Sequence, residues 1–232
     1  MSRPLFGLLA TVLALASGGL SAAPVTGDAT EFHTASGLVE QCVRIAAFLG
    51  AHYSKHDLEQ EQKYCSLDFE RLALCPKLWS TSPGTILYEI EGNDYTGFEK
   101  VNCADGHHAK AAARSHPGNF KISVNARDTS ATYAPASWVY YHLSRYLRTQ
   151  VHVPVAVYRS MDAAAHHERV VKPALAIVAN RHGLGMLRAG WHYLDAVETG
   201  QQGGGAAKAA LTDGSRQVFG VLLDNKGDRY GA

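Results

Sequence analysis

The sequence predicts an α+β fold: an N-terminal helical pair, then a small mixed or antiparallel sheet with a packing helix. Three observations predict it. Apolar residues recur at three- and four-residue steps before residue 75. Short runs bounded by Gly, Pro and Asn read as strands from residue 85 onward. One aromatic-rich helical run interrupts them at 135–148. Hydrophobic residues make up 46% of the 232 residues and charged residues 19%, which supports a core and excludes a wholly disordered chain. The formal charge of +1 gives no basis for a nucleic-acid binder held by bulk charge.

The organisation reads as a signal peptide at 1–23, a helical segment at 24–80 and a small α+β domain at 81–232. Arg3 is a short positive region, Leu5 to Ala16 are mostly apolar, and Ser21, Ala22 and Ala23 are small. This three-part pattern is that of a secretory signal cleaved after Ala23. The apolar stretch falls short of the roughly 20 residues a membrane span needs. The expectation is a periplasmic or extracellular protein with no stable membrane span after cleavage.

An oxidising destination makes the even set Cys42, Cys65, Cys75 and Cys103 candidates for two disulfides. Their spacing does not resemble paired CxxC zinc knuckles. Three pairings are open. Cys42 and Cys65 both sit on predicted apolar helix faces, so one arrangement staples a helix pair through them and leaves Cys75 to join Cys103.

Each element then follows in order. Residues 36–50 read as a helix through Leu38, Val39, Cys42, Ile45, Ala46 and Leu49. A second helix is predicted at 55–74, with Leu58, Cys65, Phe69 and Leu72 on its apolar face. Ser54 caps it, and Asp57 returns a weaker reciprocal bond. Thr85 to Ile90 read as a strand after the Pro83-Gly84 turn, and Phe98 to Val101 as the return of a hairpin across Gly92-Asn93-Asp94. Phe120 to Val124 form a clearer strand. Pro135 opens the helix at 135–148, where Val139, Leu143 and Leu147 repeat every four residues. Val151 to Tyr158 alternate as a strand, and Pro154 places it at an edge. Val170 to Ala179 form an apolar run constrained by Pro173, Met186 to Val197 a short helix, Gly203 to Gly205 a loop, and 217–223 a strand. The chain stops just after Arg229-Tyr230 begin a returning strand, which predicts a truncated member of something longer.

FKISV, ASWVYYHLSRYL and VHVPVAVYRSMD form a strand–helix–strand run. In this respect the chain resembles the small N-terminal lobe of the atypical protein-kinase superfamily, which includes lipid-kinase-like and secreted kinases. The resemblance covers about a third of the chain. It implies that Lys121 contacts nucleotide phosphates, that ATP and magnesium are the cofactors, and that the partner is a missing large lobe. The helix from Pro135 to Arg148 contains no Asp or Glu to pair with that lysine, so Asp128 is its substitute partner, with Glu99 next in line. The Gly92 to Gly97 turn would cover the nucleotide. Asp228-Arg229 is faintly similar to a catalytic loop but reads first as a hairpin turn. The implied form is catalytically incomplete.

Two other classes compete. One is a disulfide-stabilised exported binding or interaction domain without enzymatic activity, whose aromatic helix docks a protein partner. The other is a small exported metallohydrolase. His107-His108 and His166-His167 invite that reading, but adjacent histidines diverge, HHERV lacks the HExxH spacing, and no GxSxG turn is present. The histidines read as solvated loop residues and the metal site as none. The expected outcome of export is a mature chain beginning at Pro24. The intact mass of protein recovered from the extracytoplasmic fraction checks it, and an uncleaved cytoplasmic species refutes it.

Overall fold

The computed structural model describes residues 27–45, 50–124, 128–129, 132–200 and 216–224. The signal segment, Gly203 to Gly205 and Asp228-Arg229 therefore lie outside the described residues. The fold is α+β, built on a seven-stranded sheet in the order β1-β2-β6-β7-β5-β4-β3, with every pairing antiparallel.

The N-terminus corrects the expected helical pair. Gly27–His33 and Val39–Ile45 are strands, β1 and β2, joined as a hairpin. The segment VEQCVRI satisfies a helical spacing and a two-residue period at once. Its β-branched Val39, Val43 and Ile45 favour the strand. The inward residues are Glu40 and Cys42, so a charged side chain occupies a core position and hides the alternation from a hydrophobicity count. The last part of the predicted helix, 46–49, lies outside the described residues.

The second predicted helix is cut short. Helix α1 spans Lys55–Tyr64 and stops at Cys65. A 3-10 turn at Phe69–Arg71 and strand β3 at Ala73–Pro76 follow. The Ser54–Asp57 capping box forms in both directions. The buried residues of α1 are Asp57, Glu61 and Tyr64, while Leu58 is exposed. Polar partners on another helix explain this inversion. Arg145 grips Asp57 through Nε at 3.0 Å and Nη2 at 2.7 Å, and the Tyr141 hydroxyl donates to Glu61 at 2.8 Å.

Strand β4 (Thr85–Glu89) agrees with its expectation. The return of the hairpin does not: Tyr95–Asn102 is helix α2, capped by Asp94 through the Gly97 amide, and Gly106–Ala112 is helix α3. A local Asx cap outweighs the short apolar run. Strand β5 covers Ser115–Ile122 and helix α4 Ala134–Leu147. Strand β6 begins after Pro154, at Ala156–Asp162, and lies between β2 and β7 rather than at an edge. The proline sits outside the ladder, so it imposes no edge position. The next segment runs through α5 (Ala163–His166), a π-helical turn (His167–Val171) and α6 (Lys172–Val178). Helix α7 (Gly185–Glu198) and strand β7 (Gln217–Leu223) complete the described fold.

Register assigns the two faces of the sheet. Asn119 and Lys121 pair with Leu223 and Val221, which pair with Ala156 and Tyr158; these six share one face. Helix α4 packs there, with the Trp138 and Tyr158 rings 6.1 Å apart. On the same face the Cys75–Cys103 disulfide fixes α2 against β3 and β4, and Tyr88 and Phe98 pack together. Strand β5 thus runs between two helical covers. Gly220 faces the other way, and a Cβ there would meet the Lys121 carbonyl oxygen at 2.2 Å. The opposite face carries Cys42, Arg159, Phe120 and Leu222. It receives Phe69, His166 and the Cys42–Cys65 disulfide.

Arg159 is fully buried on that face. Its Nη2 donates to Glu40 at 3.0 Å, and its guanidinium lies 4.1 Å from the Phe32 ring and 4.3 Å from the Phe69 ring. The other Glu40 oxygen accepts the Asp162 amide at 2.8 Å. Removing one partner of such a pair strands the other charge. Arg159→Ala is therefore expected to lower the unfolding free energy by about 3–5 kcal/mol. Arg159→Met with Glu40→Gln keeps an acceptor for the Asp162 amide and recovers part of that loss. Urea denaturation of the two variants checks both statements.

Candidate ligand-binding site

Helix α4 forms because Pro135 sits in its first turn and its interior lacks glycine. Its described anchors lie on one side. Tyr141 is fully buried against Glu61, and Trp138 lies against the sheet. The helix ends at Arg148, which takes a left-handed φ of 51° and contacts His52. The predicted apolar repeat does not point into the core. Val139, Leu143 and Leu147 are exposed, as are Tyr140 and Tyr146.

Part of this uncovered face is concave. Tyr140, Leu143 and Leu147 face Val151, Val153, Pro154, Ala156 and Leu223 across a groove of about 540 Å³. Ser137, Ser144, Thr149 and His152 supply its polar atoms. The volume falls within the roughly 300–1,000 Å³ of small-molecule sites, as does the mainly apolar wall with a few polar groups. The segment 149–156 makes the second wall because it is not yet strand there. Arg145 holds it by donating to the Val153 carbonyl at 3.1 Å.

A smaller polar cleft of about 170 Å³ lies between the helical covers, over β5. Lys77, Ser80, Ser82 and Gly84 of the β3–β4 connection line it with Asn119, Lys121 and Leu223. Lys121 Nζ lies 3.4 Å from Ser137 Oγ. Burial pushes its ammonium below the ordinary lysine range. Asn119 is 5% exposed; its Oδ1 meets His116, and its Nδ2 has no hydrogen-bond partner among the described residues.

The other predicted phosphate-site residues lie elsewhere. Asp128 takes a left-handed φ of 64° in the β5–α4 connection and does not line the cleft. Glu99 is bound to Arg169 at 2.6 Å and to the Leu74 amide. The Gly92 to Gly97 turn caps α2 and is not part of the cleft lining. The 85–158 run that carries the kinase resemblance holds two helices where a hairpin was expected.

The histidine pair at 166–167 corrects the solvated-loop reading. Both are helical, and His166 is 1% exposed. Its Nδ1 lies 2.7 Å from Glu198 and its Nε2 3.0 Å from the Thr85 hydroxyl, while His167 meets Asp195 at 2.7 Å. Hydroxyl, imidazole and carboxylate in line have the connectivity of a nucleophile, base and orienting acid. Thr85 is 1% exposed, however, and none of the three lines either cavity. This chain of bonds ties α5 and α7 to β4. Beside the histidine pair, the acids Asp195 and Glu198, three apart on α7, are the sequence signal for it. Among the described residues, no group of three or more His, Cys, Asp or Glu side chains gathers as a metal site. No described helix is long and apolar enough to cross a membrane.

Comparison with protein-family models, curated proteins and solved structures gives no match. The kinase resemblance draws no support from it.

His142 links α4 to the chain before α1. Its Nδ1 lies 2.6 Å from the Tyr53 hydroxyl, and the rings of Tyr141 and Trp138 flank it. Burial, then the Arg145 charge, push its imidazole down to about 4. The unfolded chain therefore binds this proton more tightly. The neutral imidazole's contribution is complete above an ordinary histidine pKa of about 6.5 and is lost as pH falls toward 4, by roughly 2–3 kcal/mol. Urea midpoints across that window should fall less steeply with acidification in His142→Gln than in the parent chain.

Proposed function

We propose that this chain is an exported, disulfide-stabilised binding domain rather than an enzyme, with its ligand seated in the groove beside α4. The carrying observation is the concave apolar face of Tyr140, Leu143, Leu147 and Val151, which the protein leaves open to solvent. Such surface is costly in water and marks interaction sites when it is gathered in one place. Two disulfides support the export reading, since bridges persist in oxidising compartments. The non-enzymatic reading is supported by the groove's lining, which among the described residues holds no carboxylate and no cysteine. The nucleophile-like Thr85 is sealed in the core.

Nile red, a neutral apolar dye, is expected to bind the native chain saturably with enhanced emission. Covering a leucine contributes about 1.5–3 kcal/mol, so Leu143→Arg should weaken binding at least about tenfold. Leu143 is 43% exposed, so the unfolding midpoint should stay close to that of the parent. Unchanged dye affinity in a folded Leu143→Arg variant refutes the groove.

A further inference from the structure

We infer that the groove's ligand is an amphipathic anion, its apolar chain along α4 and its oxyanion head in the Lys121 cleft. This rests on the groove being the binding site. Two contacts join the cavities. Leu223 lines both, and Ser137, at the head of the groove, meets Lys121 Nζ at 3.4 Å. The groove alone is suited to an apolar chain. The cleft at its end offers donors of a different kind.

Those donors are built into the fold. Lys121 is held on the face of β5 by its pairing with Val221, and Asn119 by its pairing with Leu223. Asn119 is 95% buried by its 5% exposure, lines the cleft, and has an amide Nδ2 with no partner among the described residues. Buried amide donors are almost always satisfied in native proteins, so an unsatisfied one lining a cavity points to an acceptor. Ser80 and Ser82 add hydroxyls from the β3–β4 connection, and Lys77 also lines the cleft.

The charge balance favours an anion. Among the described residues, no Asp or Glu lines the cleft. Asp224, the next residue after β7, is not part of that lining; its charge acts on Tyr64, on the other face, and on His116, whose ring meets Asn119 Oδ1. Helix α4 presents its N-terminal turn, Ala134 to Ser137, at this end, where the helix dipole is positive. Burial disfavours the Lys121 ammonium, and a bound oxyanion offsets that cost by charge-assisted hydrogen bonding. An apolar trough leading to a cationic, donor-rich end is complementary to a carboxylate or phosphate on an acyl or alkyl chain.

Displacement of Nile red by laurate, dodecyl phosphate and dodecanol tests this, with inorganic phosphate alone as a fourth arm. Laurate, dodecyl phosphate or both should compete at concentrations at least about tenfold below dodecanol. Which of the two is stronger tells a carboxylate head from a phosphate head. Lys121→Met should remove the advantage of the anions and leave dodecanol unchanged, and Lys121→Arg should restore most of it. Equal competition by alcohol and anions, unaltered in Lys121→Met, overturns the head-group assignment and leaves the groove standing. Inorganic phosphate binding as tightly as dodecyl phosphate, measured by calorimetry, makes the cleft a free-anion site and overturns the amphipathic ligand. Failure of the parent chain to bind Nile red and all three chain compounds overturns the groove and this inference with it.

Discussion

The buried pair of Arg159 and Glu40 holds the N-terminal hairpin to the rest of the sheet. Strand β2 meets β6 through a register of only two residue pairs, Cys42↔Arg159 and Val43↔Tyr158. So short a ladder needs help from side chains. Arg159 bonds Glu40, and the rings of Phe32 from β1 and Phe69 from the 3-10 turn close on its guanidinium. Its Nε and Nη1 have no partner among the described residues, so the two π faces are their nearest compensation. Burial pulls Arg159 down to about 10, which leaves it cationic at neutral pH. Around it, the Gln41 amide donates to the Ser160 hydroxyl oxygen, the Gln217 side chain donates to the Val39 carbonyl, and the Ser36 hydroxyl donates to Asp162. The Cys42–Cys65 bridge then ties the same strand to the end of α1.

The same arrangement explains why the groove exists. With the hairpin and α1 fixed, α4 is oriented by Glu61 and Asp57 through Tyr141 and Arg145. These bonds commit one side of α4 to polar partners and to the sheet. The other side, with Tyr140, Leu143 and Leu147, is turned outward. A helix apolar on two sides must bury both or expose one. Here segment 149–156 covers only part of the second side, and Arg145 pins that segment by its Val153 carbonyl. The groove is therefore a product of rigid anchoring, which suits a preformed ligand site.

Much of the core was legible because its pattern was apolar. Strands β4 and β7 and helix α7 bury the hydrophobic residues that predict them, whereas α4 forms where its apolar repeat predicts but turns Val139, Leu143 and Leu147 outward. The failures fall where polar groups were buried. Glu40, Asp57, Glu61 and His166 all occupy interior positions, and each is satisfied by a partner more than 30 residues away along the chain. Local pattern cannot reveal a distant counterion. It therefore read β2 as helix, turned the wrong face of α1 inward and placed the histidine pair in solvent. Pro154 differs in kind: it stands just before β6, outside the ladder, so its missing amide hydrogen says nothing about an edge.

Lys121 was visible as a strand lysine, but its surroundings were not. The sequence resemblance placed it beneath a turn at 92–97 with Asp128 or Glu99 as counterion. The fold gives Glu99 to Arg169 and places Ser80, Ser82 and Asn119 around the cleft instead. These are neutral donors contributed by a loop and a neighbouring strand position. A lysine balanced by a nearby carboxylate would be neutralised within the protein. One surrounded by neutral donors, partly desolvated and beside an apolar groove, gains more from an external oxyanion. The difference between those two environments is one of sheet order: β5 lies between the covers made by α2–α3 and by α4, and the cleft opens in the space they leave.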